Sequence, residues 1–562
     1  MEIVNSNNIA SFQASLNQDP DINSDLNLGF GSSKTQRRNK QRSKARKKRR
    51  EKLLAQHKWI SRYDLPDSTV NSLLTILNNT IEGSDHPFIT PIGMKYGPDK
   101  LLRDWTLIYE KLDHDALTPT LMDIENQNKE KYGPRSIQKP WSERKAFVEE
   151  YFAVHELEPG LEEELLKIAI DEGNKQNRQF RPASYENAMR NLKNQTNSGL
   201  PLMRAGKFAK ETPMDDLLAQ EGMNYPCVMF TRTQEQGKTR TVWGFPFIWK
   251  LLEQAFYQVL LPHQRNLFWR AAILNPDAVD KEITICIDRA LSLMWEILSI
   301  DFSSYDATII PVLIYIAFEY IKRLFRKEFW ARIDSIAHNM CNIGIITPDG
   351  VREGPHGVPS GSTFTNEIDS IVQWLISKAF KGVIAYFNIQ GDDGVYVVEN
   401  AKKLMEHFKK YGLKVNESKS LVSKNGEAIY LQKYYHPKYR QENGVIGGIY
   451  STYRALLRLV YQERFTQLEG SGIKADDYYA IRAITIMENC KHHPYFEEFV
   501  KYIYKMDKRI GKQFDQITID AYIKKISDTA GGRVMKNQYG DDISGIKDFE
   551  VYKLLRKLEQ TK

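Results

Sequence analysis

Three short segments carry residues whose types and spacing suit chemistry on phosphates. The first is Ile297-Leu298-Ser299-Ile300-Asp301-Phe302-Ser303-Ser304-Tyr305-Asp306. Its apolar run reads as a buried strand that delivers Asp301 at its end, with Asp306 five residues further on. The second is Gly357-Val358-Pro359-Ser360-Gly361-Ser362-Thr363-Phe364-Thr365-Asn366, followed by apolar residues at Ile368, Ile371, Val372, Leu375 and Ile376. That spacing predicts an amphipathic helix fed by a Gly-rich loop, which admits close approach of a phosphate or sugar. It suits a plain core helix too, with Ser360 or Thr363 as N-cap. The third is a pair of β-rich runs, 383–389 and 395–398, around Gln390-Gly391-Asp392-Asp393-Gly394. This predicts a hairpin whose turn holds two adjacent carboxylates. Their repulsion is tolerable at a surface turn and is removed by a polyvalent cation. Asp301, Asp392 and Asp393 form a hard-oxygen set of the kind that binds Mg²⁺ together with substrate phosphates. Two such ions can clamp the attacking and leaving oxygens of an in-line displacement.

The elements that must position these residues sit in a long mixed chain. It has 562 residues, 41% hydrophobic and 27% charged, enough for several domain-sized units with real cores. This argues against a mainly disordered, collagenous or disulfide-stapled protein. The purest apolar stretch, Ile309 to Phe318, contains Pro311 and falls short of the ~20 residues a membrane span needs. No basic residue and no long apolar block occurs in the first 33 residues, so no secretory signal is expected. Cys227, Cys286, Cys341 and Cys490 are widely spaced and read as free thiols in a reducing compartment. Cys490, His492 and His493 lack a second ligand group at zinc-like spacing, so they read as a core cysteine beside a solvent-facing histidine pair.

The net charge of +8 is unevenly placed. Residues 34–52 hold twelve basic residues and one acid, Glu51, whereas the body from residue 53 onward holds 67 basic and 66 acidic residues. Such a run is a solvated tail, or it serves nucleic-acid contact or nuclear targeting, with a membrane surface the lesser alternative. Helical periodicity is clear in 161–172 and 247–260. Gly237-Lys238-Thr239 imitates a P-loop end, but the first required glycine would fall on Arg232.

In their order, with Ser360 59 residues after Asp301 and Asp392 32 residues after Ser360, the three segments resemble the viral RNA-dependent RNA polymerases. DFSSYD, SGSTFTN and QGDDG look most like the partitivirus and picobirnavirus group of double-stranded RNA virus polymerases. The likeness spans roughly residues 196 to 437. It implies an α+β fold, a right hand of fingers, palm and thumb whose antiparallel palm sheet is flanked by helices. Residues 1–60 would be an N-terminal arm, 61–290 an N-terminal region and fingers, 291–437 the palm with a fingers insertion near 320–350, and 438–562 the thumb and a C-terminal loop.

The resemblance further implies site roles. Asp301, Asp392 and Asp393 would be catalytic carboxylates and ligands of two Mg²⁺ or Mn²⁺ ions. Asp306, Ser360, Thr365 and Asn366 would meet the nucleotide's ribose, and Arg232, Lys238 and Arg240 its triphosphate. Lys419, with Lys414 and Lys424 nearby, is the lysine expected to protonate departing pyrophosphate. Ser198, Gly199 and Pro201 in Asn197-Ser198-Gly199-Leu200-Pro201, together with Gly361, would touch RNA. Ala428–His436 resembles the hairpin that holds the growing 3′ end, or is an ordinary structural hairpin. Tyr539-Gly540-Asp541-Asp542 repeats the GDD string without a preceding apolar strand, and reads as part of a Gly-rich loop over 528–547. The expected partners are template and product RNA, NTPs and, through the basic arm, a viral capsid protein, with no membrane. The expected location is host cytoplasm and virion interior. An acidic residue at 306 favours NTPs over the dNTPs of a reverse transcriptase, the alternative enzyme. A packaging protein with an inactive palm is the non-enzymatic alternative.

Overall fold

The computed structural model describes residues 57–530 and 543–561, together with Glu51 and Ala55. The basic run 34–52, apart from Glu51, and the Tyr539–Asp542 repeat therefore lie outside the described residues. The chain divides into two units, Met1–Ile60 and Ser61–Lys562, and everything below belongs to the second.

The elements that build the site follow in chain order. They are helix α1 (Leu161–Lys175), strands β1 (Cys227–Thr233) and β2 (Thr239–Gly244), helix α2 (Phe247–Gln264), strand β3 (Glu296–Ile300) and helix α3 (Pro311–Leu324). Strands β4 (Ile345–Thr347) and β5 (Gly350–Arg352) precede helix α4 (Thr365–Ala379), strands β6 (Ile384–Gln390) and β7 (Asp393–Val398), and helix α5 (Ala401–Lys410). Strands β8 (Leu421–Ser423), β9 (Ala428–Tyr430) and β10 (Lys433–Tyr435) and helix α6 (Thr452–Val460) complete the set.

Two four-stranded sheets result. One has the order β6-β7-β3-β8 with every neighbour antiparallel. In the other, β2-β1-β4-β5, the β1–β4 pair is parallel, so the segment after residue 344 joins the basic hairpin of residues 227–244. The apolar stretch from Ile309 becomes α3, which Pro311 opens at a position where its missing N–H costs nothing. Leu313, Ile314, Ile316, Ala317 and Phe318 are all buried, a helix apolar enough to sit inside the largest core cluster. Gly173 of α1 lies so close to α3 that a β-carbon would meet Arg323 Cβ at 2.6 Å. Among the described residues no helix is long and apolar enough to cross a membrane.

The histidine pair departs from its sequence reading. His493 is buried at 3% exposure with its ring Nε2 2.8 Å from Glu125, a buried carboxylate that also accepts from Ser451 and the Thr452 N–H. His492 lies 3.6 Å from Asp280. Both face carboxylates from residues far away in the chain, a pairing that no local spacing announces. All four cysteines are buried and free.

Candidate active site

Register brings the carboxylates together. Ile300, the last residue of β3, pairs with Gly394 of β7, so Asp301 leaves its strand beside the place where Asp393 begins the next. Gln390 pairs with Asp393 across a two-residue turn of Gly391 and Asp392. Gly391 takes φ 65° at the first turn position, the position a type II′ hairpin turn reserves for glycine. Asp301 is fixed through its backbone. Its N–H donates to Ser420 Oγ at 3.0 Å and its carbonyl accepts from the Asn416 N–H at 2.8 Å. The loop that does this also carries Lys419. Asp306 lies in the short turn Tyr305–Thr308, entered through Ser304 at φ 51°.

The electrostatics reflect this crowding. Burial, opposed by Lys419 and reinforced by Asp392, holds the Asp301 carboxyl above its ordinary value. Burial and the neighbouring carboxylates Asp392 and Asp301 push Asp393 to about 7. Burial and Asp392 push Asp306 to about 6, with Arg240 pulling the other way. Burial and the nearby cations Arg240 and Lys419 lower Lys238, and Asp301 and Asp392 oppose that fall. The structure thus places Lys238, Arg240 and Lys419 around Asp301, Asp306, Asp392 and Asp393. The donor set suits a divalent cation, since all four groups offer hard oxygens and repel one another. As arranged, however, no group of three such side chains among the described residues closes to metal-ligand geometry.

Helix α4 holds the carboxylate turn from one side. Ser370 Oγ accepts from the Gly391 N–H at 2.8 Å, and Gln373 Nε2 donates to the carbonyls of Gly391 and Asp392 at 3.1 and 3.3 Å. Gln390 Nε2 donates to Asn366 Oδ1 at 2.8 Å. Asn366, Ser370 and Gln373 are spaced to share one helix face. Tyr396 donates to Gln373 Oε1 at 2.8 Å and so locks the amide. The Gly-rich loop docks on β2: Ser360 Oγ donates to the Thr241 carbonyl at 2.9 Å, and a β-carbon on Gly361 would stand 1.9 Å from the Trp243 carbonyl oxygen. Beneath it, the buried Glu253 of α2 accepts from Ser362 Oγ at 2.9 Å and from the Thr363 N–H at 2.6 Å.

Several sequence-derived residues have other work than the sequence reading gave them. Ser360 and Thr363 do not cap α4, whose cap position is Phe364 with no side-chain cap bond. Thr365 Oγ1 donates within the loop, at 2.8 Å from the Pro359 carbonyl. Arg232, opposite Arg240 in the β1–β2 register, is paired with a carboxylate outside the cluster, its Nε 3.0 Å from Glu463. Ser198 is fully buried and its Oγ accepts from the Arg204 N–H at 3.1 Å, so it shapes its loop from within and offers no surface to RNA. Gly199, at φ 65°, has the Phe245 carbonyl oxygen 2.3 Å from where a β-carbon would stand, and the Pro201 carbonyl accepts from Thr69 at 2.7 Å. The interior side of Gly361 is occupied in the same way by Trp243. The hairpin β9–β10 hangs on β3 through the Ile429 N–H, which donates to Ser299 Oγ at 2.9 Å.

Other participants escaped sequence reading. Asp369 of α4 is buried, with Oδ1 lacking a hydrogen-bond partner, and burial together with Asp306 and Asp392 drives its carboxyl far up. Ser370 and Gln373 left a trace, as polar residues on a buried helix at four- and seven-residue steps from Asn366. Glu253 and Arg270 left none, since each acts across about 100 residues of chain.

Comparison with known proteins agrees with this geometry. Residues 169–503 match the family model of viral RNA-dependent RNA polymerases. A potential RNA-dependent RNA polymerase of human picobirnavirus is 29% identical over 489 residues, covering 82% of this chain and 89% of the relative. The RNA-directed RNA polymerase of Cryptosporidium parvum virus 1 is 26% identical over 42% of this chain and 51% of its own. The crystal structure of the RNA-dependent RNA polymerase of a human picobirnavirus superposes with a TM-score of 0.70 at 25% identity, over 86% of this chain and 96% of that one.

Proposed function

This chain belongs to the viral RNA-dependent RNA polymerases, and from that premise we propose that the strand-end carboxylates of β3 and β7 are where a nucleotide is added to RNA. Membership brings the right-hand polymerase fold with it and leaves the reverse transcriptase and inactive-palm readings without support. The family works on RNA and NTPs with divalent metal ions. In this reading 61–290 forms the N-terminal region and fingers, 291–437 the palm and 438–562 the thumb.

The observation that carries the proposal is the pairing of Ile300 with Gly394, which sets Asp301 beside the Asp392–Asp393 turn under Lys238, Arg240 and Lys419. Asp301 and Asp392 would hold two Mg²⁺ or Mn²⁺ ions, with Asp393 in support. Bound ions would supply charge neutralisation at the reacting phosphate. The chain's own cations do the rest. Lys238 and Arg240 meet the triphosphate, whose negative charge favours the protonated form of Lys238 against the burial that lowers it. Lys419, held by the loop that bonds the Asp301 backbone, stands where a proton can pass to departing pyrophosphate. Asp306 and Asn366 face the ribose; Ser360 and Thr365 shape the loop around it, because their hydroxyls are engaged there.

The test is template-dependent synthesis by the Asp392→Ala chain. We expect loss of nucleotide incorporation by about 10³-fold or more, with RNA binding kept, because charge stabilisation at the reacting centre is removed and the basic surfaces are not. Synthesis at the unsubstituted rate would sink the assignment.

A further inference from the structure

The side-chain oxygen of Asn366, at the head of α4, lies between two donors. Gln390 Nε2 is 2.8 Å away and Arg270 Nη2 is 3.5 Å away. A guanidinium has only donors, so the Asn366 atom facing Arg270 must be the oxygen. That fixes the amide. Its oxygen turns inward, and Nδ2 is left on the opposite side against Gly391, where a β-carbon on that glycine would stand 2.9 Å from it. The same logic fixes Gln390, whose nitrogen must face Oδ1. Its own Oε1 is then buried with no hydrogen-bond partner.

Arg270 is held firmly enough to impose this. It is 1% exposed, bonded to Glu367 Oε2 at 3.0 Å, with its guanidinium carbon 5.5 Å from the Trp269 ring centroid. Trp269 in turn stacks on Trp374 of α4, with ring centroids 5.2 Å apart. Yet Nε and Nη1 of Arg270 and Oε1 of Glu367 are buried without hydrogen bonds. A buried ion pair this incompletely satisfied is often replaceable by apolar residues at no cost in stability. Stability alone therefore does not account for a cation here.

We infer that Gln390, backed by Arg270, is a positioning residue for sugar selection: it holds the Asn366 amide so that an N–H, and not a carbonyl, faces the ribose of the incoming nucleotide. The inference rests on the reading of Asn366 as a ribose contact. A 2′-hydroxyl both donates and accepts. The Asp306 carboxylate can accept a hydrogen bond from it and the Asn366 N–H can donate to its lone pair, so the hydroxyl is read in both senses. A flipped amide would set a second acceptor against it. A 2′-deoxynucleotide leaves both protein groups without that partner, which is how a polar site rejects an analogue lacking the group.

The experiment measures single-nucleotide kcat/KM on the full chain for an NTP and for the matching 2′-dNTP. Gln390→Glu keeps the shape but sets an acceptor against Asn366 Oδ1, and Gln390→Met removes the donor without adding a charge, should the first variant not fold. For either variant we expect the NTP value to fall roughly five- to tenfold, the worth of one hydrogen bond, while the dNTP value holds within about twofold. A merely structural role would lower both alike and keep their ratio, which would overturn the inference. Asn366→Ala separates the two layers. If it collapses the ratio while both Gln390 variants preserve it, the positioning role is wrong and the ribose contact stands. If it leaves the ratio unchanged, the ribose reading fails and takes the inference with it.

Discussion

Two loops bring polar groups to the carboxylates, and they are held in opposite ways. The Gly-rich loop before α4 and the Gly391–Asp392 turn are fixed by short, mostly buried hydrogen bonds to Glu253, Thr241, Ser370 and Gln373. The tip of the β1–β2 hairpin is tied by charge instead. Arg232 pairs with Glu463 at 3.0 Å, while Arg135 reaches Glu235 at 3.5 Å and Glu463 at 3.8 Å, and Arg454 reaches Glu235 at 3.8 Å. Directional bonds in a dry interior fix a geometry to a fraction of an ångström. Ion pairs at 3.5–3.8 Å fix a geometry less sharply, and where one partner is exposed, as Arg232 is at 52%, salt screens them. Groups that must not move on the proposed function, the proposed metal-ligand and ribose-facing residues, sit on the first kind of support. Lys238 and Arg240, proposed to follow a triphosphate in and pyrophosphate out, sit on the second.

The strongest way to break this contrast is Gly361→Ala. Its β-carbon would lie 1.9 Å from the Trp243 carbonyl oxygen, so loop and strand must separate. Displacement of about 1 Å near a reacting centre can cost about a hundredfold, and we expect at least that loss of synthesis with a lowered melting temperature. Gly222→Ala, where nothing lies within 4 Å, is the control. Normal synthesis by Gly361→Ala would mean that the loop is as adjustable as the β1–β2 tip.

The sequence made one class of feature legible and hid the other. Strand, hairpin and helix over 296–300, 384–398 and 365–379 could be read because period and turn chemistry are local. The carboxylates followed from them, since each lies at the end of a readable element. The pairing of Arg232 with Glu463, 231 residues away, could not be read, because a charge alone does not say which carboxylate it meets. Ser198 was misread for a related reason. A serine in a Gly-Pro loop looks exposed, whereas here Arg204 and Phe245 close over that loop. His493, read as solvent-facing, is buried against Glu125, and nothing between residues 125 and 493 records that contact. Local physics is written in local sequence; the posts beneath a site, such as Glu253 and Arg270, are set by tertiary packing.

A smaller effect sharpens the contrast from the rigid side. Burial pushes Glu253 up to about 7 against the pull of the Thr363 N–H, Ser362 and Lys250. A carboxyl whose native pKa exceeds its unfolded value binds protons more tightly when folded, so stability falls as pH rises from about 4.5 to about 7 and is flat above. The drop is on the order of 3 kcal/mol at most. Lys250, lowered to about 8 by burial, titrates above this window. In melting curves from pH 5 to 8, Glu253→Gln should make this part of the profile shallower, Asp306 and Asp393 keeping their own share of the slope, and should reduce synthesis only a few-fold, because one acceptor for the loop remains. An unchanged slope would show that Glu253 is not the group that titrates under the loop.

The smallest effect belongs to the β1–β2 tip, and its dependence on salt matters more than its size. Glu463→Gln removes the carboxylate shared by Arg232 and Arg135. Arg232 is 52% exposed and simply returns to water, and Arg135 keeps Glu235. With its Arg232 end exposed and Glu463 replaced by a neutral isostere, the pair is worth about 0.2–1 kcal/mol, so the KM for NTPs should rise no more than two- to fivefold at low salt. With the Debye length near 3 Å at 1 M salt, variant and unsubstituted chain should converge there. Melting temperature should move little in either condition. A loss beyond tenfold that persists at high salt would mean that the ion network fixes Lys238 and Arg240 as firmly as buried hydrogen bonds fix the Gly-rich loop, and the division between a rigid loop and a compliant β1–β2 tip would collapse.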